Sequence, residues 1–435
     1  MIERCEQVLD LVGERADAIV SATTGDVALT RFANSSIHQN VAEDATSVFL
    51  KVIVDGRYAS ASTTQTDAAA LARLVDRTIN AARLRPPDPD WPGLAPAASA
   101  PGIEHWDDDT ADASPDARAA IVKDFVDAGG GLEGAGYCST SGLRVAFANS
   151  AGQRLTGRHT SATINGIHRT GSSDASATTS SIRLADLDGA AAGADAAERA
   201  RATAAGTDVE PGAYEVVLAP SCLANMLQFL AYAGFNAKAQ LDGTSFVHVG
   251  EAQFDAAVSI WDDATDPRTL GLPFDNEGTP KRRHELVTAG VTTGVVHDRR
   301  TARLAGVEST GHGLGQEAAG AYPANLFFGE GADGQSAAEL IAGVERGLVV
   351  HDFWYTRILD PLTQVVTGLT RNGVFLVEDG VVVGPVRNLR FTQSFVAALG
   401  PGKVKGIATD GQLVNGMHVP TVHLATWNFT GGAKG

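Results

Sequence analysis

Residues 46–54, TSVFLKVIV, are the run on which the reading of the fold turns. β-branched and apolar side chains dominate it, which is the composition of a buried strand. On its N-terminal side Ala18–Ser21, Asp26–Phe32 and Ser36–Ala42 also read as strands, and Glu3–Arg15 reads as a helix. On its C-terminal side Asp55-Gly56 marks a turn. Asp67–Arg83 then reads as an amphipathic helix, with Leu71, Leu74, Ile79 and Ala82 on one face. Strands flanked by helices predict an N-terminal α/β lobe with a mixed sheet over residues 1–84.

Residues 85–112 form a linker or a long surface loop, because the stretch from Pro86 to Pro101 is rich in Pro and Ala and has no periodicity. A helix is predicted at Pro115–Ala128, with Ser114 as its cap and Pro115 in its first turn. Tyr137–Ile182 alternates small polar and apolar residues, as an antiparallel meander with one wet face does. With an Ala-rich helix at Ala191–Ala205, residues 113–210 read as a central α/β domain with antiparallel strands. Residues 211–435 read as a β-rich domain. Tyr214–Leu218 is its first strand and Ser221–Tyr232 its one clear helix. Short β-rich runs broken by Gly follow, and Pro420–Phe429 closes the chain as a strand. The fold class is therefore α+β, an N-terminal α/β lobe followed by a C-terminal β-rich lobe that carries one helix.

The chain of 435 residues has a formal charge of −17. Nucleic acid and anionic membrane surfaces both select basic proteins, so neither is expected as a partner. No stretch approaches the roughly 18–20 apolar residues that span a bilayer. Met1-Ile-Glu-Arg-Cys5-Glu sets acid beside base with no apolar run behind it, so no signal peptide is expected. Cys5, Cys138 and Cys222 fit neither a disulfide framework nor a CxxC metal site. The expected location is a reducing cytoplasm.

Most chemical motifs fail on context. Gly129, Gly131 and Gly134 satisfy GxGxxG, but they follow a helix and lead into a strand, the reverse of a dinucleotide site. His284-Glu285 lacks the His four residues on that a zincin helix requires, since position 288 is Thr. His418 and His423 lie five apart in a predicted strand and so on opposite faces, poor geometry for chelation. His312 sits in the Gly-rich run STGHGLG (309–315), as a functional contact or as a structural side chain. Asp275 and Glu277 are close enough for acid–base work or metal binding. They equally suit a loop organised by side-chain to backbone bonds.

Several segments together resemble the TldD/PmbA family. RFANSSIHQN (31–40) resembles its N-terminal segment and DNEGTP (275–280) its acidic loop. Leu286–Gly313 keeps the order of turns that follows that loop, and Pro323-Ala-Asn325 matches a later element. NGVFLVEDGVVVGPV (372–386) resembles a strand pair, and Pro420 to Ala433 resembles the C-terminus. The resemblance runs through nearly the whole chain in order.

TldD-type members carry HExxxH on a helix and a late Cys; the two His and the Cys bind zinc and the Glu activates water. Counting back from Gly243-Thr-Ser245, the resemblance places that motif on Gln228, Phe229 and Ala233, and the third ligand near Gly406–Ala408. No Cys follows Cys222. The resemblance thus implies a TldE-like pseudo-enzyme subunit with no cofactor of its own. Its partner would be a TldD-like metallopeptidase subunit that holds the zinc, and together they would process unfolded peptide. Within this reading His312, Tyr322 and Asn325 are the candidate substrate-facing residues, with Asp275 and Glu277 bordering them. The alternative is a self-sufficient homodimer with a non-zinc binding role or a role in biosynthetic maturation.

Overall fold

The computed structural model describes residues 1–316 and 318–432. Its N-terminal lobe is built on one six-stranded sheet. The strands are β1 (Asp17–Ala33), β2 (Ser36–Val54), β3 (Arg57–Thr63), β4 (Glu133–Asn149), β5 (Arg154–Arg169) and β6 (Asp174–Ser181). Their order is β3-β2-β1-β4-β5-β6. Every pairing is antiparallel, where a mix of directions was expected. The strands predicted as separate short runs fuse into a long hairpin, because Thr23–Gly25 and Ala45–Ser47 continue the same register. Residues 1–84 and 113–210 each give three strands to this single sheet.

One face of the sheet is covered by helices. α1 (Ile2–Val12) and α2 (Ala68–Arg83) pack on Val20, Val48, Leu50 and Val52. After the short α3 (Asp108–Ala111), α4 (Pro115–Ala128) begins where its cap predicts. The Ser114 side chain accepts from the Ala117 N–H, and Pro115 occupies a position whose N–H would have no partner. α4 and α5 (Gly189–Ala202) cover Ala162 and Ile164 of β5. Their axes come close because Gly189 and Gly193 carry no Cβ; one added there would lie 2.3 and 2.2 Å from the Ile121 and Phe125 carbonyl oxygens.

The opposite face of the sheet meets the C-terminal lobe. Phe147 and Leu155 pack with Phe274, and Gly157 faces Leu272 and Phe274. The Pro/Ala-rich stretch is strapped to the same lobe. Arg299 donates to the Gly93 and Leu94 carbonyls, and Arg300 pairs with Asp88 at 2.5 Å.

In the C-terminal lobe β7 (Gly212–Leu218) leads into α6 (Pro220–Ala233). β8 (Ile260–Asp262), β9 (His284–Thr288), β10 (Val291–Thr292) and β11 (Leu326–Phe328) follow. Then come β12 (Arg346–Asp360), β13 (Val365–Glu378), β14 (Val381–Pro385), β15 (Leu389–Ser394) and β16 (Val404–Ile407). β17 (Gln412–Val414), β18 (Met417–Val419) and β19 (Val422–Gly432) complete the order. Strands β12, β7, β19, β15 and β13 pair in sequence, and β13 pairs back to β12, so five strands close into a barrel. The mixed pairing lies in this lobe: β12 runs parallel to β7, and β11 to β18. Trp427, Phe353, Phe391 and Phe395 fill this core. A second sheet has the order β10-β9-β8-β11-β18-β17.

One local expectation is corrected. His418 and His423 do not share a strand: His418 is on β18 in the second sheet and His423 on β19 in the barrel. Pro420 has no N–H for a ladder. The Thr421 N–H and hydroxyl both donate to Asp410, so the chain changes sheets between the two histidines.

Candidate functional site

Asp262, at the end of β8, organises a buried polar network. Its Oδ1 meets His312 Nε2 at 2.8 Å, and its Oδ2 accepts the Asn325 N–H at 2.6 Å. The side chains of His312 and Asp262 have no exposed surface. Nδ1 of His312 meets Thr310 Oγ1 at 2.9 Å, which also accepts the His297 N–H. Asn325 Nδ2 donates to Thr269 Oγ1 and to the Leu270 carbonyl, while Lys281 Nζ donates to Asn325 Oδ1. The Tyr322 N–H donates to the His312 carbonyl. Burial opposes ionisation of Asp262, but His312, Lys281 and the Asn325 N–H together hold its carboxyl below the usual carboxylate range.

The acidic loop is built beside it. Asp275 Oδ1 accepts the N–H groups of Glu277 and Thr279, and its Oδ2 accepts the Gly313 N–H at 2.8 Å. The carboxylate therefore ties its own turn to the glycine-rich run after His312. Gly278 has φ +81 and lies flat on Phe147, with its carbonyl accepting from Gln153 Nε2 at 2.9 Å. The loop is thereby docked on the N-terminal sheet.

Glu277 is half-buried, and its Oε2 accepts the Arg299 N–H at 2.8 Å. Burial, and then the neighbouring Asp275, push its carboxyl up to about 7. The unfolded group loses its proton near pH ~4.3, so between that pH and about 7 the folded chain holds the extra proton. Stability from this group is full below the window and falls as pH rises through it. Glu277→Gln keeps an acceptor for Arg299 and carries no charge. The variant should melt a few degrees above the parent at pH 8, a gain of about 1–2 kcal/mol, and show a clearly smaller gain at pH 5, inside the window. Thermal midpoints at the two pH values check this.

The structure brings all five candidate substrate-site residues to this network and the acidic loop beside it. His312, Asn325 and Asp275 are buried within it, while Tyr322 and Glu277 keep partial exposure. Asp262 was not singled out by sequence reading. Trp261-Asp-Asp263 is an acidic pair in a β-rich stretch, which flags carboxylates but not that Asp262 reaches His312 and the Asn325 N–H.

The positions Gln228, Phe229 and Ala233 lie on α6. Gln228 is exposed, Phe229 packs edge-on against Phe395 at 5.9 Å, and Ala233 is buried. Ile407 joins the same core as Leu223 and Leu230. Among the described residues no cluster of three or more His, Cys, Asp or Glu could hold a metal ion. No helix among them is long and apolar enough to cross a membrane. The α6 residues Ser221 and Asn225 border a groove of about 670 Å3 between the lobes, whose other wall is the outer face of β4–β6.

Comparison with known proteins gives these elements a context. The model of the PmbA/TldA metallopeptidase C-terminal domain matches residues 211–431, and that of domain 1 matches residues 20–82. A metalloprotease TldD homolog from Haemophilus influenzae is 27% identical over 173 residues, 39% of this chain. One from Buchnera aphidicola is 24% identical over 215 residues, 48% of the chain. The matches span 35% and 43% of the length of these two curated relatives. Among solved structures, TldE from Thermococcus kodakarensis superposes with a TM-score of 0.87 at 18% identity, covering 98% of this chain and 100% of that one. A Thermotoga maritima protein described as a candidate modulator of a DNA gyrase gives 0.88 at 18% identity, covering 98% and 99%. Both share the fold along its whole length.

Proposed function

This chain belongs to the PmbA/TldD metallopeptidase family, and from that premise we propose that it is a TldE-like, non-catalytic subunit. It pairs with a TldD-like zinc metallopeptidase and holds unfolded peptide for the partner to cut. One observation carries this reading: the make-up of α6 where the resemblance places the zinc motif. A zinc site needs imidazole, thiolate or carboxylate donors in tetrahedral array. At those positions Gln228 offers a neutral amide, Phe229 turns its ring onto Phe395, and Ala233 ends in a buried methyl. This donor set does not fit zinc, and no chemical step is assigned to the chain alone. The apolar face of the helix, Leu223, Met226, Leu227 and Leu230, keeps it seated in the core.

Within this reading Tyr322 and Glu277 touch peptide, while His312, Asn325 and Asp275 hold the loops that carry them. The location is the cytoplasm. The test is metal analysis and peptidase assay of the purified chain, alone and with a TldD-like partner. The chain alone should hold far less than one zinc per molecule and cut no peptide. Activity should appear with the partner and depend on the partner's zinc. One tightly held zinc per chain would sink the proposal.

A further inference from the structure

We propose that Glu277 is the catch of a latch between the two lobes. With its carboxyl protonated the latch is shut; once the proton leaves, water enters the seam and the Pro/Ala-rich strap comes away from α8.

The parts of the latch meet at one point. A cavity of about 10 Å3 lies in the seam between the lobes, the room that about one water needs. Phe49 and Lys51 of β2 form one wall, Trp91 of the strap another, and Glu277 with Arg299 the third. Oε2 of Glu277 accepts the Arg299 N–H, the first of α8, at 2.8 Å. From the same helix three arginines grip the strap. Arg299 donates to the Gly93 and Leu94 carbonyls, Arg300 pairs with Asp88, and Arg303 donates to the Trp91 carbonyl. The strap in turn reaches the N-terminal sheet, where the Asp88 N–H donates to the Gly56 carbonyl at 2.7 Å. Glu277 thus stands behind the helix that ties one lobe to the other.

The groups around the carboxyl are set against its ionisation. Asp275 shares its loop, and Asp298 caps α8 beside it. Lys51 is the facing cation of the N-terminal sheet, but its ammonium lies over the rings of Tyr58 and Trp91, at 4.5 and 4.9 Å. The Arg299 guanidinium is turned to the strap carbonyls. Among the described residues the one hydrogen-bond donor to the Glu277 carboxyl is the Arg299 N–H. Burial, and then Asp275, accordingly push this carboxyl up to about 7.

Which wall yields on ionisation depends on how each is held. A carboxylate has about four positions for hydrogen-bond donors, and a cavity for one water cannot fill them. β2 is fixed by its ladders to β1 and β3. Residues 91–100 of the strap have no ladder and are held by side chains of α8. Segments with few backbone hydrogen bonds open at low cost. The strap is therefore the wall that moves, and Trp91 leaves the seam with it. An open latch bares the carboxylate that the reading above sets against peptide; the latch itself does not rest on that reading.

The shut form keeps its proton up to about 7, whereas a hydrated glutamate loses it near pH ~4.3. Between these values each pH unit upward should favour opening about tenfold. Above pH ~8 both forms are ionised and the effect should level off.

The test is hydrogen exchange of the full chain, followed at the Asp88, Trp91 and Arg299 N–H groups and corrected for the intrinsic pH dependence of exchange. Protection there should fall at least tenfold between pH 5 and pH 7 and stay level from pH 8 to pH 9. Strand β19 in the barrel should keep its protection throughout. In Glu277→Gln protection at the three sites should be the same at every pH. If that variant does not fold, Trp91→Ala, which removes the strap's wall of the cavity, should show at pH 5 the low protection that the parent reaches only at pH 8. A parental fall in Glu277→Gln overturns the latch. So does unchanged protection in the parent across the range, or parental protection at pH 5 in Trp91→Ala. The measurement uses the chain without partner, peptide or zinc. A failed latch therefore leaves the pairing proposal standing, and a chain that carries its own zinc leaves the latch standing.

Discussion

Asp262→Ala should cost the C-terminal lobe about 3–5 kcal/mol and lower its melting transition by roughly 10 °C or more. The carboxylate is the shared acceptor for His312 Nε2 and the Asn325 N–H, and the site is sealed from water. Truncation leaves both groups buried without a partner and adds a cavity. The loss should spread beyond the site. His312 sits in the run tied to Asp275 through the Gly313 N–H, and the Asp275 turn is docked on Phe147. Asp262→Asn should cost less, because the amide oxygen still meets His312. Its NH2 would nevertheless face the Asn325 N–H, donor against donor. The acid dependence follows from the depressed carboxyl of Asp262. Its contribution is present in full above the unfolded value of ~3.9 and is lost as pH falls through the lower folded value. The gap in melting temperature between parent and Asp262→Ala should therefore persist from pH 8 to pH 5. It should narrow only in stronger acid. A variant that melts with the parent at pH 7 would show that the network is not what holds these loops.

Trp427→Ala should be about as damaging, at roughly 3–5 kcal/mol. Trp427 is fully buried inside the barrel, stacked on Phe353 at 5.1 Å and beside Phe391 and Phe395 at 5.3 and 5.7 Å. Its strand β19 pairs with both β7 and β15, so it sits where the ring of strands is joined. The void left by the indole is too large for its neighbours to close without moving β-strands. Trp427→Phe should lose far less, about 1–2 kcal/mol. The indole Nε1 has no hydrogen-bond partner among the described residues, so its removal also removes an unsatisfied buried donor. Urea titrations of the three chains check both the size and the order of these effects. Equal losses in the two variants would mean that the indole N–H, not ring volume, is what the core needs.

Local chemistry in the sequence reached far into this fold. Ser114 and Pro115 set the start of α4, because a cap and a residue without an N–H act within a single turn. Asp67 caps α2 in the same way, accepting the Ala70 N–H. The alternation through Tyr137–Ile182 indicated antiparallel strands with a wet face, and β4–β6 have one. The α+β class followed from such local patterns, and the family from the resemblance of segments such as DNEGTP (275–280) taken in order along the chain.

Positions whose meaning depends on distant partners were not readable that way. Three strands from each of two stretches join one sheet through β1 and β4, and nothing within either stretch specifies the other's register. Asp262 meets partners 50 and 63 residues away, so no local spacing marks it. The same holds for Ser161, Thr163 and Asn165, ordinary strand residues until the C-terminal lobe closes over their face. The sequence alone determined where helices such as α2 and α4 begin and the α+β class, because helix caps, strand alternation and residue chemistry act over a few bonds. The tertiary structure alone decided that the barrel closes, that Asp262 holds the loops together and that a polar groove runs beside α6. Those features exist only once segments far apart in the chain are packed against one another and screened from water.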